Sequence, residues 1–222
     1  MTSEEYQKSI VTIGKDALAK LPAAEYPGEI IVVDDEGRLK EAVESLRKSK
    51  MIGFDTETRP SFRKGVQYNV ALIQLATPEK CYLFRTNEIG YPKELMEILE
   101  DPGITKIGLS LHDDFHNLHK VTEFAPNGFI ELQQFVKDYK IADNSLSRVY
   151  GILFGKRISK GQRLSNWEAS ELTELQQAYA AMDAYACIRI YKYLKEGNFN
   201  PRESRYLYLP PDPEPQEEIT ET

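Results

Sequence analysis

The sequence predicts an α/β protein in which helices cover a mixed β-sheet. Two observations carry that expectation. Short apolar runs bounded by turn residues alternate with helical periodicity from Glu29 to Leu132, and from Gln133 onward the pattern is mainly helical. The chain of 222 residues is long enough to bury one sizeable core.

Residues 1–27 predict an N-terminal helix and a connector broken by Pro22 and Pro27. Glu29 to Val33 is a short strand. Glu36 to Lys48 is an amphipathic helix, with Leu39, Ala42, Val43 and Leu46 at helical spacing. Met51 to Thr56, Tyr68 to Thr77 and Lys80 to Thr86 are three core strands. A turn over Asn87 to Pro92 leads to a helix from Lys93 to Glu100, which Asp101-Pro102-Gly103 ends. Ile104 to Leu109 predicts a strand, Leu111 to Val121 a helix, Phe129 to Leu132 a short strand, and Leu175 to Lys195 a long helix. The prolines of Leu209 to Pro215 and the acids beyond them predict an extended or disordered tail. No internal repeat is present. The expected organisation is an extension over 1–27, one core domain over 28–200, and a Pro-rich acidic tail over 201–222.

The formal net charge is −7, but Asp212, Glu214, Glu217, Glu218 and Glu221 contribute −5 of it. That balance speaks against tight, sequence-independent binding of a long duplex. Cys81 and Cys187 each lie in an apolar segment and read as buried thiols, with no disulfide framework or cysteine-based zinc site. No signal-peptide pattern opens the chain, and no apolar run approaches the roughly 20 residues that span a bilayer. These features predict a soluble, cytoplasmic protein without a membrane partner.

Chemistry concentrates in two short segments. In Phe54-Asp55-Thr56-Glu57-Thr58, residues i and i+2 of a strand share a face, so Asp55 and Glu57 project together. In Tyr179-Ala180-Ala181-Met182-Asp183, positions i and i+4 of a helix put Tyr179 beside Asp183. Two acids at a strand end and an acid with a phenol on a helix suit divalent cations in oxygen ligands, the chemistry of phosphoryl transfer. His112, His116 and His119 have the spacing of one helix face, yet no His-Glu-x-x-His pattern accompanies them, and they read as a polar face. Gly151 to Lys156 is one residue short of a phosphate-binding loop, and Arg157 stands where Ser or Thr is required. Nucleoside triphosphatase activity is rejected on that ground.

Asp-x-Glu on a first strand, an acid on a middle helix and Tyr-x-x-x-Asp on a late helix stand here in order. Together they resemble the DEDD superfamily of 3′→5′ exonucleases, in its tyrosine-containing branch and most closely its Werner-type group. Ribonuclease D and polymerase proofreading domains are more distant kin. The resemblance spans Ile30 to Leu194 and includes Leu164-Ser165-Asn166-Trp167, similar to the Ser-Asn-Trp segment of that group. It implies a ribonuclease H-like, DnaQ-type fold and Asp55, Glu57, Asp114, Tyr179 and Asp183 as catalytic residues. Asp114 is matched because Leu118 stands four residues later. Asp113 is the neighbouring alternative, and one helix cannot aim both acids at one point.

The resemblance further implies two divalent cations, Mg²⁺ or Mn²⁺, held by Asp55, Glu57, Asp114 and Asp183, with Tyr179 orienting the attacking water. The expected substrates are nucleic-acid 3′ ends, and the product is nucleoside 5′-monophosphate. DNA is favoured over RNA because ribonuclease D-type enzymes carry further helical domains, and only a short stretch follows Leu194. Lys156, Arg157, Lys160 and Arg163 are candidate phosphate contacts. Trp167 reads as a packing residue ahead of a base-stacking one, and the acidic tail as a solubilising segment ahead of a protein-docking one. A ribonuclease D-like processor and a non-catalytic scaffold for nucleic-acid ends remain the alternatives.

Overall fold

In the computed structural model, residues 1–211 are described; Asp212–Thr222, on which the expectation of an acidic tail falls, lie outside them. The elements in chain order are α1 (Ser3–Lys8), β1 (Ile10–Val11), α2 (Lys15–Ala19), β2 (Glu29–Val33), α3 (Glu36–Leu46), β3 (Met51–Thr58), β4 (Val70–Ala76) and β5 (Lys80–Arg85). There follow α4 (Thr86–Ile89), α5 (Lys93–Glu100), β6 (Thr105–Gly108), α6 (Leu111–Leu118), β7 (Phe129–Glu131), α7 (Leu132–Phe135), α8 (Leu146–Phe154), α9 (Glu174–Lys195) and β8 (Leu207–Tyr208). No helix among the described residues is long and apolar enough to cross a membrane.

Six strands form one mixed sheet in the order β2-β5-β4-β3-β6-β7. Only β4 runs against its neighbours, pairing antiparallel with both β3 and β5. Val70 to Ala76 is buried throughout, as a central strand covered on both faces must be. One face is closed by α3, α5 and α6, where Leu39, Val43, Leu46, Leu95, Ile98, Leu99 and Leu118 meet Ile52, Phe54 and Ile73. The other face is crossed by α9, whose Ala180, Ala181 and Ala184 lie over Leu72, Ala76 and Leu83. Small side chains on α9 let its backbone come close to the sheet.

That approach is closest at Gly53. A methyl group built there would fall well inside van der Waals contact with the carbonyl oxygen of Ala184. Gly53 lies two residues before Asp55, and Ala184 one residue after Asp183. A residue without a side chain therefore sets the distance between the two acid-bearing elements.

Among the described residues, the segments on either side of the core domain hold more regular structure than their composition predicts. Residues 1–27 form two short helices flanking β1, not one helix and a connector. β1 pairs antiparallel with β8, which lies in the segment expected as tail. Val11 and Ile13 are fully buried, so the pairing is anchored in the second core cluster beside α8 and the C-terminal half of α9. The predicted turn over Asn87 to Pro92 begins with one turn of helix, α4, closed by Gly90 at φ 69°.

Gly53→Ala tests the role of the close approach. Overpacking of this kind costs about 1–3 kcal/mol, so the melting temperature should fall by roughly 5 °C, with Asp55 and Asp183 forced apart. Calorimetry of the purified variant measures the shift.

Candidate active site

The β3 pleat turns Asp55 and Glu57 toward α9, and α9 brings Asp183 down to meet them. One carboxylate oxygen from each of these three acids lies within 4.8 Å of the others. Among the described residues, no other group of three acidic, histidine or cysteine side chains converges in this way. Glu57 is 9% exposed and Asp183 8%.

Burial and mutual repulsion make the cluster resist ionisation. Burial pushes Asp55 up to about 7. Burial, then the charges of Asp55, Asp183 and Asp114, push Glu57 up to about 10. Asp183 is raised for the same reasons, against a hydrogen bond from Tyr179 and the charge of Lys160. The Tyr179 phenol is itself raised by burial and by Asp183, so it stays protonated. An all-oxygen donor set whose members repel one another fits a hard divalent cation, which would relieve the repulsion.

Asp114 is not part of the trio. It sits on α6 and accepts a hydrogen bond from the Thr56 hydroxyl, on the strand between Asp55 and Glu57. The charge of Asp55 still reaches it and raises its pKa, after burial. Of the two adjacent acids, Asp114 is the one turned inward; the Asp113 side chain is 83% exposed and lies beside His112.

Glu131, which no sequence motif singled out, holds α6 in place. Its carboxylate accepts from the backbone N–H of Ser110 at 3.1 Å, of Leu111 at 2.7 Å and of Gln133 at 2.9 Å. Ser110 has φ 66°, a left-handed conformation that costs a non-glycine residue free energy. Its hydroxyl accepts from Gln133 Nε2 at 3.0 Å. One carboxylate thus caps two helices and fixes the turn at Ser110, four residues before Asp114. The readable signal was an acid next to last in the predicted strand Phe129 to Leu132, just before a helical segment and so in reach of its first N–H groups.

A cavity of about 280 Å³ opens over the acids, lined by Asp55, Tyr179, Asp183, Ser147, Lys160 and Arg163 among others. Cys187, one turn beyond Asp183, lines its buried floor. The four basic residues expected to act together are divided. Lys160 and Arg163 line the cavity and offset the negative charge of Asp183 and Glu57 respectively. Arg157 turns back to donate from Nε to the Leu21 carbonyl at 3.1 Å, while Ala23 bridges its backbone. Lys156 is exposed and outside the cavity lining. The N-terminal connector therefore anchors the start of the basic segment.

Trp167 is fully buried, its ring centroid 6.1 Å from that of Tyr179, so it packs behind the tyrosine. The three histidines are exposed; His119 Nε2 pairs with the Phe124 carbonyl at 3.1 Å. Gly151 to Lys156 ends a helix instead of opening one, with Gly155 at φ 62° as its C-cap.

Residues 30–197 match the family described as 3′-5′ exonuclease. The chain belongs to that family. It is 36% identical over 185 residues to the bifunctional 3′-5′ exonuclease/ATP-dependent helicase WRN of Mus musculus, covering 78% of this chain and 13% of that protein. It is 33% identical over 154 residues to a 3′-5′ exonuclease of Arabidopsis thaliana, covering 65% of this chain and 52% of that one. The chain thus spans about half or less of these relatives' own lengths. The Aedes aegypti Nibbler EXO domain has the same fold, with a TM-score of 0.70 at 21% identity over 82% of this chain and 97% of that one. The DEDD superfamily resemblance and the ribonuclease H-like mixed sheet are both supported.

Two outcomes follow from this geometry. Without metal, acids with raised pKa bind more protons folded than unfolded, so their contribution to stability falls as pH rises above the unfolded value of about 4. In EDTA, Asp55→Asn should melt above the parent protein at pH 8 and converge with it near pH 4, and Mn²⁺ should stabilise the parent selectively at pH 8. Glu131→Ala should raise the metal concentration needed for half-maximal activity by roughly tenfold, with Glu131→Gln intermediate; a metal titration of activity measures both.

Proposed function

We propose that this chain is a divalent-cation-dependent exonuclease that removes nucleotides from nucleic-acid 3′ ends, with DNA favoured over RNA. The observation that carries the reading is the convergence of Asp55, Glu57 and Asp183 beneath a nucleotide-sized, cation-rimmed cavity in a chain of this family.

Asp55, Glu57 and Asp183, with Asp114 beside them, would hold two divalent ions, Mg²⁺ or Mn²⁺. Such ions, when bound, supply an activated water and charge neutralisation at the phosphoryl group. Tyr179 keeps its proton and has lone pairs free to accept from a water, so it orients the nucleophile. Lys160 and Arg163 draw the phosphate into the cavity and hold it against the acids. Attack by water on phosphorus then breaks the bond to the 3′ oxygen. The leaving oxygen takes a proton to become the new 3′ hydroxyl, and the terminal residue departs as a 5′-monophosphate.

End-labelled oligonucleotides should shorten stepwise from the 3′ end in Mg²⁺ or Mn²⁺ and remain intact in EDTA. Asp55→Ala should lower turnover by roughly a thousandfold or more. Tyr179→Phe should lower kcat by roughly a hundredfold while leaving the half-saturating metal concentration unmoved. A gel time course over DNA and RNA, single-stranded and recessed, measures all three. Internal cleavage, or an active Asp55→Ala, would contradict the reading.

A further inference from the structure

Beyond the acid-lined cavity lies a second one of about 450 Å³, lined by Arg59, Phe62, Arg63, Tyr68, Leu164 and Asn166 among others. It begins where the catalytic strand ends, since Arg59 follows Thr58, the last residue of β3. It neighbours the first cavity along the chain, because Leu164 directly follows Arg163, which lines that cavity.

The chemistry of this groove differs from its surroundings. Phe62 is 83% exposed and Leu164 66%, among the most exposed large apolar side chains described. Single exposed apolar residues are ordinary, but these two line one groove together with the Tyr68 ring. The Arg59 guanidinium lies 4.7 Å from the centre of that ring and is held there by Glu168 at 3.2 Å. A tight turn presents Phe62 outward: the Ser61 hydroxyl donates to the Arg63 carbonyl at 3.1 Å, and Gly65 has φ 81°. Arg63 and Lys64 beside it are exposed cations. Apolar and aromatic faces interleaved with cations suit unpaired bases on a phosphate backbone, where stacking and charge act together.

We infer that this groove is a stacking platform for the unpaired nucleotides immediately upstream of the 3′ end. The inference rests on the exonuclease reading for the polarity of the strand. It adds that the substrate end must be single-stranded or frayed over the groove, because paired bases have no free faces to offer Phe62. The occupant is nucleic acid in preference to a peptide because cations flank the apolar residues on both walls while the carboxylate of Glu168 is already engaged by Arg59.

The test measures affinity and catalysis separately. A single-stranded oligodeoxynucleotide carrying 2-aminopurine three nucleotides from its 3′ end is titrated with the full chain, with Phe62→Ala and with Leu164→Ala; both side chains are exposed enough for folding to survive. Fluorescence should be quenched by the parent protein, and Kd should rise about tenfold in each variant, with Phe62→Trp restoring it. In hydrolysis assays the preference of KM for this oligonucleotide over a dinucleotide should shrink by the same factor. Equal Kd and equal length preference in parent and variants would overturn the platform and leave the groove to a protein partner. Phe62-dependent binding without 3′ hydrolysis would leave the platform standing and remove the exonuclease reading instead.

Discussion

The contact between the backbone of α9 at Ala184 and the bare Cα of Gly53 determines where the acids stand. Two of them ride on β3 and one on α9, each within its element's regular hydrogen-bonded span. Their separation is therefore set by how closely helix and strand approach. The alanines of α9 and the absence of a side chain at Gly53 are the sequence features that permit it. Everything chemical in the molecule is built outward from that packing. Tyr179 follows from its place one turn before Asp183, and the cavity floor from Cys187 one turn after it.

The cluster so formed is unfavourable by itself. Three carboxylates, two buried and one half-buried, oppose their own ionisation at this separation, and protein cations only partly offset this. Lys160 and Arg163 sit at the cavity edge, where they can also meet a phosphate. The net negative charge of the chain conceals this arrangement, in which Lys160 and Arg163 line the cavity at the acids and Arg59 and Arg63 line the groove at the end of β3. Local charge, not the total, decides which polyanion can approach.

Much of this was legible in the sequence because it depends on short-range periodicity. Period two over Asp55-Thr56-Glu57 and period four over Tyr179 to Asp183 give the facing directions of the side chains without knowledge of the fold. The sheet strands from Glu29 to Glu131 were legible as short apolar runs between turn residues. What escaped depends on contacts between distant segments. The cap that Glu131 places on Gln133 is local and readable, but its hold on the Ser110 and Leu111 N–H groups, some twenty residues away, leaves no motif. β1 and β8 are two residues each and too short for any period to show, and they exist because they pair across almost the whole chain. Arg157 looked equivalent to Lys160 and Arg163 by composition, but the carbonyl of Leu21 captures it. Asp113 and Asp114 are indistinguishable as a dipeptide, and only the orientation of α6 separates them.

The packing of α9 on β3 brings Asp55, Glu57 and Asp183 together as an oxygen donor set for a divalent cation. Anomalous diffraction from crystals of the chain soaked in Mn²⁺ tests it most directly. A strong anomalous peak is expected in contact with Asp55 and with Glu57 or Asp183. A map with no peak at these carboxylates, or with manganese bound at the histidines of α6 instead, would contradict it.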